Sequence, residues 1–271
     1  YTGAGNSGLS AAEVYDPETK SFTALTPMTA ARGGHTASML STGKLLVAGG
    51  SDMTSTPTST AEEYDPQEYA FVSAGGMARA RVGHTSTRLA SGKVLIVGGV
   101  SELAQLPGTG SPEASAEEFD SATHRFTFVG SMSSGRTGHS AARMTSGRVL
   151  IAGGSSDLGT PIATLEEYNP STLRFSSAGT MNTSRKGAFA TALPSGKVLL
   201  AGGSNDTTAD EYDPDTRSTT SVGPMVTNHL TGASTLLQSG KVLLTGGQNG
   251  PNTTGAEAEE YDPQTHSFSA V

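Results

Sequence analysis

A single segment recurs along this chain, and its clearest copy reads Arg81-Val-Gly-His-Thr-Ser-Thr-Arg-Leu-Ala-Ser-Gly-Lys-Val-Leu-Ile-Val-Gly-Gly99. His84–Leu89 alternates in polarity, which is typical of a half-buried strand. Ser91-Gly92-Lys93 supplies a tight turn, because Gly tolerates the positive φ that hairpin turns need. The unbroken apolar run Val94–Val97 then indicates a strand that is covered on both faces. Gly98-Gly99 ends that strand, where a missing Cβ lets another backbone approach closely.

Four further copies of the segment, the last of them looser, occupy Arg32–Gly50, Arg136–Gly154, Arg185–Gly203 and His229–Gly247. After each Gly pair comes a variable loop and then a second signature: an acid, any residue, an aromatic and usually Asp-Pro. Its aromatics, which are 49, 55, 49, 44 and 49 residues apart, are Tyr15, Tyr64, Phe119, Tyr168, Tyr212 and Tyr261. A period of about 50 residues with four strand signals per unit predicts a propeller of repeated four-stranded sheets.

These signatures resemble the repeats of the kelch superfamily. A second aromatic, seven residues after the first, is Phe22, Phe71, Phe126, Phe175 or Phe268, and Thr219 takes this place in the fifth copy. Kelch repeats usually have Trp there, and its absence from this chain favours a bacterial-type kelch protein over a eukaryotic adaptor. The resemblance implies an all-β, six-bladed kelch-type propeller with four-stranded antiparallel blades, similar to the central domain of galactose oxidase without its copper site.

We expect one propeller domain over residues 1–271, because the repeat covers essentially the whole chain. Its first blade is incomplete: residues 1–5 match only the tail of a second strand, and two more strands follow near Ala12–Tyr15 and Ser21–Leu25. Either the chain is a fragment of a longer one, or another segment or subunit supplies the missing strand. An open sheet edge there is an aggregation liability unless something covers it.

Composition excludes several classes of function. A net charge of −8, from 17 Lys+Arg against 25 Asp+Glu, argues against nucleic-acid binding, which needs a basic surface. No apolar run approaches the ~20 residues of a membrane span, so we expect no membrane insertion. The chain has no cysteine, which excludes disulfides and a cysteine nucleophile. The radical copper centre of galactose oxidase needs a tyrosine cross-linked to a cysteine, so we predict no cofactor.

The resemblance also suggests a binding site. In kelch propellers, the loop that enters each innermost strand and the loop after each Gly pair open on one face. The entering loops here end in basic residues that would surround one channel mouth: Arg32, Arg81, Arg136, Arg185 and His229. Arginines at this place bind partner carboxylates in some kelch proteins, and the planar guanidinium suits bidentate binding. We predict these five residues as a site for an anionic peptide, protein or glycan.

A structural role for the same residues is the alternative. Each repeat has an acid two residues before its aromatic: Glu13, Glu62, Glu117, Glu166, Asp210 and Glu259. These acids could pair with the basic residues inside or between blades, since buried charges are normally paired. Three equivalent histidines, His35, His84 and His139, could suggest a metal ring. Their shared repeat position before Thr or Ser fits a strand-anchoring hydrogen bond better, and we predict no metal site.

Three functions remain open from the sequence. The first is a non-catalytic propeller that binds a ligand or partner at the channel mouth. The second is a sugar-processing enzyme of mutarotase, epimerase or lyase type that uses the same mouth, and the third is a purely structural module of a secreted multidomain protein. No serine-nucleophile elbow, phosphate loop or metal-ligand spacing assigns a catalytic residue. We expect an extracellular or cell-surface location.

The loops after the Gly pairs carry most of the variation between repeats. Five of them, with 11, 17, 11, 6 and 11 residues, begin at Ser51, Val100, Ser155, Ser204 and Gln248. They are rich in Ser, Thr, Gly and Pro, and we predict that they are exposed and lack structure of their own. Variable loops on a repeated scaffold are where binding is usually found.

Overall fold

A computed structural model describes residues 8–101, 112–156, 159–204, 206–250, 253–255 and 257–271. Every regular element within these residues is a β-strand. Among them, no helix has the length and apolar character that a membrane crossing requires. The predicted strand tail in residues 1–5 lies outside the described residues.

The strands form two two-stranded sheets and five four-stranded antiparallel sheets. One two-stranded sheet is here called the first blade, and the four-stranded sheets are the second to sixth blades. The first blade consists of β1 (Glu13–Asp16) and β2 (Ser21–Ala24). The second consists of β3 (Thr36–Met39), β4 (Leu45–Ala48), β5 (Thr60–Asp65) and β6 (Ala70–Gly76). The third consists of β7 (Thr85–Arg88), β8 (Val94–Val97), β9 (Ser115–Asp120) and β10 (Arg125–Ser131).

The remaining blades follow the same plan. The fourth consists of β11 (Ser140–Arg143), β12 (Val149–Ala152), β13 (Ile162–Asn169) and β14 (Arg174–Arg185). The fifth consists of β15 (Phe189–Ala192), β16 (Val198–Ala201), β17 (Ala209–Asp213) and β18 (Ser218–Val222). The sixth consists of β19 (Ala233–Leu236), β20 (Val242–Thr245), β23 (Ala258–Asp262) and β24 (Ser267–Ala270). Within each blade the four strands pair in chain order, which confirms the predicted fold class.

Four loops differ from their predictions. Three of them begin at a buried residue that forms an isolated β-bridge within the loop: Ser51, Val100 and Ser155. The loop that begins at Gln248 was predicted to lack structure of its own, but β21 (Gln248–Gly250) pairs antiparallel with β22 (Thr253–Thr254). The prediction failed because amino-acid composition indicates only that a loop is exposed and contains turns. A short antiparallel strand pair forms through backbone hydrogen bonds, which composition does not reveal.

Two compact units, residues 1–130 and 131–271, divide the chain. The first unit contains the first three blades up to Gly130, and the second contains the fourth to sixth blades. Each unit has its own clusters of buried apolar side chains. The single domain expected over residues 1–271 stays a prediction.

The second strand of each complete blade forms the core, as its unbroken apolar sequence predicts. All four residues of β8, β12 and β16 are buried. Within β16, Val198 and Leu200 join a cluster with Leu150 of the blade before, whereas Leu199 joins a cluster with Leu244 of the blade after. Successive side chains of a strand point to opposite faces, so both faces of the strand are buried between neighbouring blades.

The Gly pair at the end of this strand is required by close backbone contact. Gly98 and Gly99 have φ values of 68° and 89°, a region that other residues rarely adopt. A Cβ built on Gly99 would lie 2.8 Å from the carbonyl oxygen of Val82. The pair therefore lets the segment that enters β7 cross directly against the start of the variable loop.

Candidate functional site

The five predicted site residues are buried. Arg32 is 3% exposed, and the other four have no exposed surface: Arg81, Arg136, Arg185 and His229. Each comes shortly before the innermost strand of a different complete blade, and each contacts the repeat acid that was proposed above as its structural partner. Their arrangement around one channel mouth stays a prediction.

Arg81 shows what the repeated pair does. Its Nη1 donates to the carbonyl oxygens of Gly98 and Ser115 at 2.8 and 2.9 Å. Its Nη2 donates to Ser115 Oγ at 2.8 Å and to Glu117 Oε1 at 3.1 Å. Gly98 directly follows β8 and Ser115 begins β9, so these are the two stems of the variable loop between the strands. One guanidinium thus fixes both ends of that loop.

The second and fourth blades repeat this arrangement, in which one buried basic side chain bonds both loop stems and the repeat acid; we call it the clamp. Arg32 Nη1 donates to the carbonyl oxygens of Gly49 and Thr60 at 3.0 and 2.8 Å. Arg136 Nη1 donates to those of Gly153 and Thr164 at 3.1 and 3.0 Å. The Nη2 of each arginine also contacts Oε1 of the repeat acid, at 3.0 Å between Arg32 and Glu62 and at 2.6 Å between Arg136 and Glu166.

The clamp of the fifth blade is looser. Arg185 Nη2 lies 3.8 Å from Asp210 Oδ2, because aspartate is one methylene shorter than the glutamate of the other blades. Asn182 Nδ2 donates to Asp210 Oδ1 at 2.9 Å. Arg185 Nη1 donates to the carbonyl oxygen of Gly202, and its Nη2 to Thr208 Oγ1, both at 2.9 Å. The guanidinium therefore still joins both stems of this shorter loop.

His229 performs the same task in the sixth blade with two nitrogens. Its Nδ1 is 2.6 Å from the carbonyl oxygen of Gly246, and its Nε2 is 2.7 Å from Glu259 Oε1. A carbonyl oxygen only accepts, so Nδ1 carries a hydrogen. The hydroxyl of Thr227 also lies 3.2 Å from Nε2, so the ring contacts the entering segment, the loop stem and the acid.

The acids hold the entering segment as well. Oε2 of Glu62 accepts a hydrogen bond from the Thr29 backbone N–H at 2.7 Å, and that of Glu117 accepts one from Ala78 at 2.8 Å. Burial acts to raise the pKa of Glu62, but the hydrogen bonds from Thr29 and Arg32 outweigh it and lower that pKa. Each complete blade thus joins its entering segment and its loop stems through one acid–base pair.

The predicted histidine anchor is confirmed at His84. Its Nε2 lies 2.9 Å from Thr36 Oγ1, so it joins the innermost strands of two neighbouring blades. Burial, with a smaller contribution from the Arg81 charge, lowers the pKa of His84 to about 3. The ring is therefore neutral at physiological pH. Within the described part of the chain, no group of three or more His, Cys, Asp or Glu residues could hold a metal ion.

Sequence reasoning found the acid–base pairs but missed their backbone partners. Carbonyl acceptors such as those of Gly98 and Ser115 have no side-chain signature, so the clamp on the loop stems could not be read from the repeat. Two surface grooves of about 440 and 470 Å³ lie elsewhere, beside hairpin turns that contain Lys241 and Lys197. The loops after the Gly pairs, rather than these grooves, are the variable surface that the clamps hold in place.

Comparisons with known proteins agree with this repeat architecture. A model of the Kelch motif matches residues 32–78. A solved structure described as the structure of YjhT aligns with a TM-score of 0.77 and 13% identity, over 98% of this chain and 97% of that one. The chain has the fold of a kelch-type propeller. It has six blades, of which the first is incomplete.

A second structural neighbour is a fungal alcohol oxidase of the AA5 family, solved in complex with copper. It aligns with this kelch propeller with a TM-score of 0.75 and 15% identity, over 97% of this chain and 58% of the oxidase. No curated protein sequence matches the chain. At these identities the likeness shows the fold alone. Copper is part of the oxidase structure, and at this identity the likeness assigns no metal to the present chain.

Proposed function

We propose that this kelch propeller is a non-catalytic binding module whose partner contacts the loops after the Gly pairs. One observation supports this most directly: in all five complete blades a buried basic side chain is bonded at the base of the loop, and the four arginines join both stems. The loop sequences vary while this support is repeated. A fixed base with variable tips suits recognition, since a preorganised loop loses less entropy on binding.

The basic residues act, in this proposal, as positioning residues for the loops. Each positive charge is already matched by a buried acid, so a ligand carboxylate would have to displace that acid to reach it. The five loops contain hydroxyl and amide groups and several acids but no Lys or Arg. We therefore propose a peptide, protein or glycan ligand that is bound mainly by hydrogen bonds, at an extracellular or cell-surface location. The anionic ligand predicted from the arginines becomes one arm of the test.

The test begins with a screen of the intact protein on glycan and peptide arrays. For a ligand found there, each loop tip is replaced in turn by a Gly-Ser linker of equal length, for example at Met53–Thr56. At least one replacement should weaken binding about tenfold or more, with an unchanged melting temperature, as removal of a hot spot does. Binding that no loop replacement affects would contradict the proposal.

Two further readouts separate the alternatives. Affinity that falls steeply with salt would favour an anionic ligand, because salt screens charge attraction. Chemical conversion of an array sugar, followed by NMR, would favour the sugar-processing enzyme. A structural module without a ligand would bind nothing on either array.

A further inference from the structure

The turn that leads into the outermost strand contacts the preceding blade in the third and sixth blades. One position in this turn has a left-handed backbone in every blade, with φ between 52° and 54°: Lys20, Tyr69, His124, Leu173, Arg217 and His266. A Cβ built on Gly75 of the second blade would lie 3.3 Å from the carbonyl oxygen of His124. The carbonyl oxygen of His266 accepts a hydrogen bond from the Gly223 N–H, which follows β18, at 2.9 Å. Both histidines are therefore placed beside the blade before their own.

Among the described residues, His124 is the only ion-pair partner of a buried acid in the second blade, Glu63. Its Nε2 lies 3.4 Å from Glu63 Oε2, and the side chains of the histidine and the acid are 52% and 2% exposed. The other oxygen, Oε1, has no hydrogen-bond partner in this part of the chain. Lys44, the base whose charge Glu63 influences, pairs with Asp65 instead, at 3.1 Å. A buried charge is normally paired, so the counter-charge of Glu63 depends on His124.

His266 makes the equivalent contact between the fifth and sixth blades. Its Nδ1 lies 3.4 Å from Glu211 Oε1 and 3.2 Å from the hydroxyl of Tyr261. Glu211 has two further partners, because it accepts a hydrogen bond from that hydroxyl at 2.7 Å and pairs with Lys197 Nζ at 3.3 Å. The acid in the second unit therefore keeps partners without its histidine, whereas Glu63 does not.

Other side chains at this turn position carry a permanent charge or none. Arg217 Nη2 lies 3.6 Å from Glu167 Oε2 of the fourth blade, and a guanidinium is not deprotonated in proteins. Leu173, in the turn of the fourth blade, is uncharged. A histidine differs from both, because an ordinary imidazole is positively charged only below about pH 6.5.

We propose that His124 and His266 are pH-sensitive latches, each of which holds its blade on the preceding blade while the imidazole is protonated. The titratable groups that contact these rings in the described part of the chain are Glu63 for the first, and Glu211 and Tyr261 for the second. A hydrogen bond from a charged imidazolium to a carboxylate is roughly twice as strong as one between neutral groups. Loss of that proton above about pH 6.5 leaves Glu63 buried without a counter-charge, so the second and third blades separate more readily.

The latches lie in turns distinct from the loops after the Gly pairs, so they stand or fall independently of the proposed function. Their pH dependence has the opposite sign from that of His84, whose buried ring is neutral in the folded protein. His84 stays in every variant below, so its contribution cancels when two proteins are compared at one pH.

The test is urea unfolding of the full chain at about pH 5.5 and about pH 8, on either side of the ordinary histidine pKa. His124→Leu and His124→Arg are compared with the wild type, since Leu173 and Arg217 show that this turn position accepts both side chains. At the lower pH, His124→Leu should reduce the folding equilibrium constant about tenfold or more, and at the higher pH less than about threefold. His124→Arg should stay close to the wild type at the lower pH and exceed it at the higher pH.

Two control variants make the test specific. Arg217→Leu removes a permanent charge at the equivalent position, so its effect should be the same at both pH values. His266→Leu should show a smaller pH-dependent effect than His124→Leu, because Glu211 keeps its other two partners. Hydrogen exchange of the wild type, corrected for the intrinsic rate, should show weaker protection of β5 and β6 at the higher pH. An effect of His124→Leu that is equal at both pH values, or unchanged protection of those strands, would overturn the proposal.

Discussion

Arg81 fixes two loop stems with one guanidinium, and its loss would leave Glu117 buried without a partner. Side chains of both residues are almost entirely inaccessible. Removing one member of a buried ion pair costs roughly 3–5 kcal/mol. We expect Arg81→Ala to lower the free energy of unfolding by about this amount in a urea titration.

A matched control is two residues away. Arg79 is exposed, so Arg79→Ala should change stability by less than about 0.5 kcal/mol. Arg81→Lys should remain clearly destabilised, because a single ammonium group lacks the planar fork that reaches both stems. If Arg81→Ala were as stable as Arg79→Ala, the clamp would have no structural role.

Glu63 shows where the repeat is imperfect. Its Oε1 is buried and has no hydrogen-bond partner among the described residues. In the second unit, the equivalent acids accept hydrogen bonds from a tyrosine of the next blade: Tyr212 to Glu167 at 3.2 Å, and Tyr261 to Glu211 at 2.7 Å. The third blade has Phe119 at the place of those tyrosines.

Phe119→Tyr should therefore stabilise the protein. The added hydroxyl would give Oε1 of Glu63 the donor that it lacks, and a hydrogen bond to a charged group contributes about 1.5–3 kcal/mol. We expect a gain of about 1 kcal/mol or more in urea unfolding, since the ring site already holds tyrosine in other blades. Phe126→Tyr, on the other ring of the same aromatic pair, should give no such gain. A lower midpoint for Phe119→Tyr would mean that the hydroxyl does not reach Glu63.

His84 makes stability depend on pH. Its pKa is about 3 in the folded protein and roughly 6.5 in an unfolded chain. Between these values the unfolded chain binds the proton and the folded protein does not, so stability falls as the pH drops from 6.5 towards 3. Near pH 4 this loss should be roughly 3 kcal/mol. His84→Gln should show a smaller loss over the same window, and parallel pH profiles for both proteins would contradict this assignment.

At the scale of a strand, β16 shows why an unbroken apolar run is needed. Leu199 is 1% exposed and packs in the cluster that contains Val242 and Tyr261. Leu199→Ala should cost about 2–5 kcal/mol, as lost burial plus a cavity. Thr220→Ala, on the exposed outer strand β18 of the same blade, should cost less than about 0.5 kcal/mol in the same denaturant titration. Equal effects would show that β16 is not core.

Strand order and buried strands could be predicted because they follow from local patterns. The alternating polarity of the first strand, the Ser-Gly-Lys turn and the Gly pair together located the ends of β7 and β8 to within a few residues. The length of β14, which runs without a break to Arg185, could not be predicted, since other blades end the outer strand before the entering segment. Pairing of Arg81 with Glu117 was one of two open alternatives, because spacing shows that two charges recur but not whether they are buried together.

At the scale of the whole molecule, the two units differ in these contacts between blades. Within the second unit, both described tyrosine–acid bonds are formed. Within the first unit, Phe119 replaces one tyrosine, and the hydroxyl of Tyr64 has no partner among the described residues. Val14 occupies the place of the missing acceptor in the first blade. The first unit also contains the incomplete blade.

We therefore expect the first unit to open before the second under native conditions. Local opening has a lower free energy where fewer buried contacts must be broken. Hydrogen exchange followed by mass spectrometry should show faster exchange for the amides of β4 and β5 than for those of β16 and β17, although all four strands have the same place in their blades. The double variant Val14→Glu, Phe119→Tyr should supply both missing bonds and slow exchange in the first unit only. Equal protection of the two units in the wild-type protein, or equal slowing of both in the variant, would show that these tyrosine–acid bonds do not set the order of opening.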